Sequence, residues 1–245
     1  MNYIEYGEQN SEVMIFLHGG GLSWWNYREE AEKLQKDYHI ILPILDGHAG
    51  SDKDFTTIES NAADLISLID EKFGGFVLLI GGLSLGGQIL LEILSQRKSI
   101  CRYAVVESAL AAPSKLTSFL IKPVVGSCYG LIRQKWFSKI QFRALRIRPE
   151  LFSEYFRDTC GITKKNMIAF LQENSLYDIK ETLGSNTAKV YILVGEKETR
   201  AMKISAERIH RNLPGSSLKL LAGSYHGEFS LNNSDSYVEY CNCLE

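Results

Sequence analysis

Short apolar runs recur along the chain, and most are separated by segments with helical spacing. The runs are rich in β-branched and aliphatic residues and lack a clean alternation of apolar and polar positions, which is typical of strands buried on both faces of a parallel sheet. The predicted strands are residues 13–17, 39–44, 76–81, 103–107, 190–195 and 218–223. The predicted helices are residues 25–36, 60–72, 88–96 and 201–212. This alternation predicts an α/β fold with a doubly wound, mostly parallel sheet.

Residues 109–186 interrupt this rhythm. They contain no strand-like run, but they do contain several segments with helical spacing, and the interval is too long for a simple crossover between strands. We therefore predict an inserted helical lid at residues 109–186, with a core built from residues 1–108 and 187–245. The lid has no Asp or Glu before Glu150, which leaves two interpretations open: a solvated polar face, or attraction for an anionic substrate or surface. Its basic residues are Lys115, Lys122, Arg133, Lys135, Lys139, Arg143, Arg146 and Arg148.

Composition narrows the class of protein. A chain of 245 residues with 45% hydrophobic residues can bury the core of one α/β domain. The net charge of −2 gives no overall field that would favour nucleic acid, and five scattered cysteines do not suggest a disulfide framework. No leader peptide is visible and no apolar run is long enough to span a membrane. We expect a cytoplasmic protein with no nucleic-acid partner and no membrane span.

The most informative motif lies at residues 82–86, Gly-Leu-Ser-Leu-Gly, where a predicted strand meets a helix. This small-x-Ser-x-small spacing is that of a nucleophile elbow, in which a sharp turn lifts the Ser84 hydroxyl above the sheet at a helix N-terminus. A phosphate-binding loop would need Lys and Ser or Thr after Gly86, and a dinucleotide fingerprint would need glycine at position 84. An inert serine in a glycine-rich turn remains the alternative.

A second glycine motif, His18-Gly19-Gly20-Gly21, follows the first buried strand. In this architecture such a loop supplies one oxyanion donor and the residue after the nucleophile supplies the other. We predict that the oxyanion hole consists of the backbone N–H groups of Gly20 and Leu85, with Gly21 as an alternative to Gly20.

Together with residues 46–52, 194–198 and 223–229, these motifs resemble those of the α/β-hydrolase superfamily, in the same chain order and over essentially the full chain. The resemblance implies a serine hydrolase of the esterase type with a helical lid. There are two departures. Ala49 stands where the family usually has glycine, and the N-terminal strands are reduced to one short segment at residues 2–7.

A serine nucleophile needs a general base, and the chain has five histidines. His226 follows the last apolar run and matches the superfamily's catalytic histidine, so we predict that it is the base. The resemblance gives His18 and His48 structural roles. His39 and His210 are expected to be packing or surface residues.

The acid that orients the base has more than one candidate. In the family it commonly follows the strand after the lid in a Gly-x-x-Asp pattern, and Glu198 occupies that aspartate's position. Glu107, at the end of the strand before the lid, is the alternative acid, because some members take their acid from that strand. Glu196 is expected to be a charge at the edge of the loop.

The predicted reaction is hydrolysis of a small-to-medium carboxylic ester or thioester through an acyl-enzyme on Ser84, with no cofactor and no metal. Within the family, a lysophospholipase, a carbon–carbon bond hydrolase and a peptidase are alternatives, and so is a non-catalytic receptor on the same fold. Ser84 disfavours a haloalkane dehalogenase, whose family uses aspartate at the elbow. The aromatic residues of the lid, with Trp24 and Trp25, are expected to shape an apolar pocket.

Overall fold

In the computed structural model, which describes residues 1–244, seven strands form one sheet in the order β1-β3-β2-β4-β5-β6-β7. Strand β1 pairs antiparallel with β3, and every other neighbouring pair is parallel. The strands are β1 (Tyr3–Tyr6), β2 (Val13–Leu17), β3 (His39–Pro43), β4 (Val77–Leu83), β5 (Cys101–Glu107), β6 (Lys189–Gly195) and β7 (Ser217–Leu221). The predicted α/β class and the mostly parallel sheet are confirmed.

Helices cover both faces of the sheet, which explains why the strands read as continuous apolar runs. In β2, Ile15 packs into the core beneath α2 and α3, whereas its neighbour Phe16 packs into the opposite core with Tyr27 and Tyr237. The helices are α1 (Arg28–Leu34), α2 (Ile58–Phe73), α3 (Leu85–Gln96), α4 (Lys115–Cys128), α5 (Lys135–Ala144), α6 (Phe152–Gly161), α7 (Lys164–Leu176), α8 (Arg200–Asn212), α9 (Glu228–Asn232) and α10 (Ser234–Asn242).

Residues 109–186, here called the helical insertion, hold α4 to α7 between β5 and β6. Gln88 of α3 fixes the insertion to the core, because its side-chain amide donates to the carbonyls of Leu110 (2.7 Å) and Asn174 (2.9 Å). The predicted helix at residues 25–36 starts later than expected: Trp24–Tyr27 form a 3₁₀ turn, and α1 begins at Arg28. Across residues 1–244, the helices are all too short or too polar to cross a membrane.

Candidate active site

Ser84 lies in the turn between β4 and α3 in a strained backbone conformation with positive φ (φ 54°, ψ −111°). The turn is possible because both flanking glycines lack a side chain. A Cβ on Gly82 would collide with the Gly86 carbonyl, and a Cβ on Gly86 would collide with the Leu17 carbonyl at the end of β2. The glycines of the motif therefore hold the strained serine close to the main chain of the neighbouring strand.

Two buried histidines support the loop that follows β2. His18 donates from Nδ1 to the Gly19 carbonyl (2.9 Å) and accepts from the Leu45 N–H at Nε2 (3.2 Å). His48 accepts from the Gly21 N–H at Nε2 (3.0 Å). Burial lowers the pKa of His18 to about 3 and that of His48 to about 4, so both rings are neutral near pH 7. Neutral rings can accept these backbone hydrogen bonds.

The bond to His48 distinguishes the glycines of the loop. The Gly21 N–H is occupied, whereas the N–H groups of Gly20 and Leu85 donate to no other residue within the described range 1–244. Leu85 is the first residue of α3, where backbone N–H groups have no partner inside the helix. A Cβ built on Gly20 would lie 3.5 Å from the Leu85 Cβ, so these two residues are immediate neighbours.

His226 lies in the loop after β7 and donates from Nδ1 to Oε2 of Glu198, at 2.8 Å. The Glu198 side chain is fully buried, and its Oε1 accepts from the Ser108 hydroxyl (2.6 Å) and the Gly195 N–H (2.8 Å). Burial by itself would raise the pKa of Glu198, but the hydrogen bonds from His226, Ser108 and Gly195 outweigh it and the pKa is lowered. The carboxylate stays ionised beside an imidazole whose side chain is 41% exposed.

Ser108 was not identified from the sequence. It directly follows β5 and has φ 54°, which is unusual for a residue other than glycine. This conformation directs its hydroxyl at Glu198 across the carboxyl ends of β5 and β6. The only signal in the sequence was a polar residue just after a buried strand, a feature that many loops share.

Glu107, the alternative acid, makes no hydrogen bond with His226 within residues 1–244. In this part of the chain its carboxylate accepts the Ser230 N–H (3.3 Å), while its carbonyl accepts the Ser84 N–H (2.9 Å). Burial raises the pKa of the Glu107 carboxyl to about 7. Glu196 is exposed and accepts the Gly223 N–H (2.8 Å), so it joins the β6 and β7 ends and does not face the imidazole.

Ser84 and His226 line one small cavity of about 60 Å³. Gly20 reaches it from the loop after β2, and Leu145 and Ile147 cover it from the helical insertion. The Ser84 hydroxyl makes no hydrogen bond within residues 1–244.

A second cavity of about 180 Å³ lies on the other side of His226 and also reaches Glu198. Arg146 and Lys197 flank its Tyr225, with the guanidinium carbon 3.6 Å and the ammonium nitrogen 5.1 Å from the ring centroid. Neither cation pairs with a carboxylate in the described part of the chain. Arg146 has φ 56°, and its carbonyl accepts from the Asn232 amide (2.8 Å).

The aromatic residues of the helical insertion, which were expected to shape the pocket, do not line the cavity at Ser84. Phe119 and Trp136 point to solvent, and the cavity at Ser84 is lined by aliphatic side chains instead. Phe170 packs beside Gly20, and Trp25 is buried with its indole N–H donating to Asp158 of α6 (2.8 Å). Phe170 and Trp25 therefore pack against or within the segment that follows β2. Among residues 1–244, no three His, Cys, Asp or Glu side chains converge in a way that could hold a metal ion.

A strained serine at a strand–helix turn, with a histidine and a buried carboxylate on the following loops, agrees with the family match. The model of the alpha/beta hydrolase family matches residues 14–239, so the chain belongs to the alpha/beta hydrolase family.

Individual relatives are distant. An esterase from Thermogutta terrifontis superposes with a TM-score of 0.79 at 17% identity, covering 98% of this chain and 92% of that one. MenH from S. aureus gives 0.77 at 18% identity, covering 98% and 95%. In sequence, epoxide hydrolase 3 of Mus musculus is 29% identical over 52 residues, which are 21% of this chain and 14% of that protein.

Proposed function

We propose that this chain is a serine hydrolase that cleaves a small-to-medium carboxylic ester or thioester. In this proposal Ser84 is the nucleophile, His226 the general base and Glu198 the acid that orients it. The backbone N–H groups of Gly20 and Leu85 form the oxyanion hole. The observation that carries the proposal is the hydrogen-bonded pair of His226 and fully buried Glu198 beside the cavity that contains Ser84.

The hydrogen bond to Glu198 fixes the proton of His226 on Nδ1 and leaves Nε2 free to accept a proton. His226 takes the Ser84 proton as the hydroxyl oxygen attacks the carbonyl carbon, and the developing oxyanion is stabilised by the two free N–H groups. His226 then returns the proton to the leaving alcohol or thiol. A water deprotonated by His226 hydrolyses the acyl-enzyme, releasing the acid and regenerating Ser84.

The cavities limit the substrate. The cavity of about 60 Å³ at Ser84 suits a short aliphatic group, because Leu145, Ile147 and Leu231 line it. The larger cavity beyond His226 suits the other half of the substrate. We infer that the helical insertion is the lid of this site, since two of these lining residues belong to it.

Labelling and turnover test this proposal together. A fluorophosphonate should label the parent chain at Ser84 and should not label Ser84→Ala. The parent should also hydrolyse p-nitrophenyl acetate and short acyl-CoA thioesters with an initial burst of one product per chain. If folded parent chain neither reacts with the probe nor turns over any of these esters, the serine hydrolase assignment is wrong, and a binding protein on the same fold is favoured.

A further inference from the structure

The helical insertion exposes an unusual apolar surface. Within residues 1–244, eight of the twelve large hydrophobic side chains that are strongly exposed lie between residues 116 and 145. The most exposed are Phe119 at 75% and Leu116 at 70%. The eight are Leu116, Phe119, Leu120, Val124, Leu131, Trp136, Ile140 and Leu145. Exposed apolar side chains concentrated in this way are typical of interaction surfaces.

On α4 the usual pattern of a surface helix is inverted. The stripe at residues 116, 119, 120 and 124 follows helical spacing and faces solvent, whereas the buried positions of α4 are Ser118 and Val125. On α5, Trp136 and Ile140 are one turn apart and are likewise exposed, whereas Ser138 and Phe142 are buried. Neither stripe contributes to the core beneath it.

The charge around these stripes has a single sign. The segment between Glu107 and Glu150 contains eight Lys and Arg residues and no Asp or Glu. Within the described chain, only Arg148 of these eight pairs with a carboxylate, at 2.7 Å from Glu29. Of the other seven, Arg146 is the one described residue that lines either of the two cavities next to His226, so most of these cations lie away from the proposed active site.

From these observations we propose that α4, α5 and the 3₁₀ turn between them (Tyr129–Arg133) dock on an anionic lipid bilayer. Exposed Leu, Phe and Trp side chains would enter the boundary between head groups and acyl chains, and the unpaired Lys and Arg would contact lipid phosphates. A second copy of the chain fits less well, because a two-fold contact through this surface would bring six cations that pair with no carboxylate in the described chain against their equivalents. The proposal does not depend on the activity of Ser84.

Vesicle flotation tests it directly. The full chain should bind vesicles of phosphatidylcholine with phosphatidylglycerol at least about tenfold more tightly than vesicles of phosphatidylcholine alone, and added salt should weaken the binding. Because Trp25 is buried and Trp136 is 59% exposed, we also expect a blue shift of tryptophan emission on binding. That shift should be lost in Trp136→Phe.

Matched variants separate the apolar and the electrostatic contributions. Phe119→Ser with Leu120→Ser should weaken binding at least about tenfold, whereas Phe76→Ser with Leu220→Ser, which removes two exposed apolar side chains elsewhere, should not. Lys122→Glu with Lys135→Glu should weaken binding to a similar degree. Lys36→Glu with Lys98→Glu changes the net charge equally and should leave binding unchanged. Circular dichroism and urea unfolding verify that each variant is folded.

Three results would overturn the proposal. The first is no binding to the anionic vesicles, and the second is equal binding to neutral and anionic vesicles. The third is a chain that does not bind vesicles but forms a dimer in sedimentation equilibrium, with the Phe119 and Leu120 substitutions converting that dimer to monomer. A second copy of the chain would then cover this surface.

Discussion

Replacing Glu198 by Gln changes one atom in the proposed site, and its effect can be worked out from the hydrogen bonds. Two donors point at Oε1 of Glu198, the Ser108 hydroxyl at 2.6 Å and the Gly195 N–H at 2.8 Å. A glutamine at position 198 must therefore place its carbonyl oxygen there. The opposite orientation would leave two buried donors facing an NH₂ group, at a cost of about 1–3 kcal/mol for each.

With its oxygen held in that position, the glutamine presents its NH₂ to His226 Nδ1, where the carboxylate accepted at 2.8 Å. The imidazole must then accept at Nδ1 and carry its proton on Nε2, which is the wrong tautomer for accepting a proton from Ser84. Loss of this tautomer costs on the order of 10⁴ in kcat for a serine triad, or about 5 kcal/mol of transition-state stabilisation.

The assay is the kcat for p-nitrophenyl acetate, with urea unfolding to verify that the variant is folded. Glu107→Gln is the matched control, because Glu107 ends the neighbouring strand and makes no hydrogen bond with His226 among the described residues. We expect Glu198→Gln to lose nearly all turnover and Glu107→Gln to retain most of it. Full activity in Glu198→Gln, together with loss of activity in Glu107→Gln, would refute the assignment and make Glu107 the acid.

Three further predictions concern single side chains. Ser108→Ala removes one donor to Glu198, and kcat for p-nitrophenyl acetate should fall roughly tenfold with little change in KM; an unchanged kcat would contradict a positioning role. Arg146→Gln leaves the second cavity with one cation fewer. The kcat/KM for p-nitrophenyl hemisuccinate, which carries a free carboxylate, divided by the kcat/KM for p-nitrophenyl acetate should therefore fall about tenfold. A constant ratio would show that Arg146 does not contact substrate. Burial raises the pKa of Glu107 to about 7, so the folded chain keeps a proton there that the unfolded chain loses above roughly pH 4.5, and stability decreases as pH rises through this window. The free energy of unfolding of Glu107→Gln minus that of the parent, measured with urea, should therefore increase by roughly 2–4 kcal/mol from about pH 5 to about pH 8. Identical pH profiles of stability for the two chains would contradict this.

The parts of the fold that follow local rules could be predicted from the sequence. The strands are continuous apolar runs because α2 and α3 cover one face and α1 and α10 the other. The turn at Ser84 was visible because only glycine fits at positions 82 and 86. Element ends were less certain. Trp25 was expected in a helix, but it lies in a 3₁₀ turn and reaches across to Asp158.

Other features depend on how distant segments meet, and no local pattern reveals them. Ser108 reaches Glu198 only because β5 and β6 are neighbours in the sheet and end at the same level. The sequence allowed either Glu107 or Glu198 beside the imidazole, and only the packing of the loop after β7 places Glu198 there. Likewise, the apolar positions of α4 indicate a helix, but not that the apolar stripe faces solvent.

The close approach of Gly86 to the Leu17 carbonyl has a consequence for redesign of this protein. A library that varies position 82 or 86 should yield mostly misfolded chains, because a carbon added at 86 meets the main chain of β2 and a carbon added at 82 meets the backbone at Gly86 within the turn. Variation at Leu22, Leu145 and Ile147 changes the room around Ser84 without moving the serine itself. Substrate selectivity should therefore be adjustable by substitutions in the walls of the cavity, with the glycine turn that positions the serine kept unchanged.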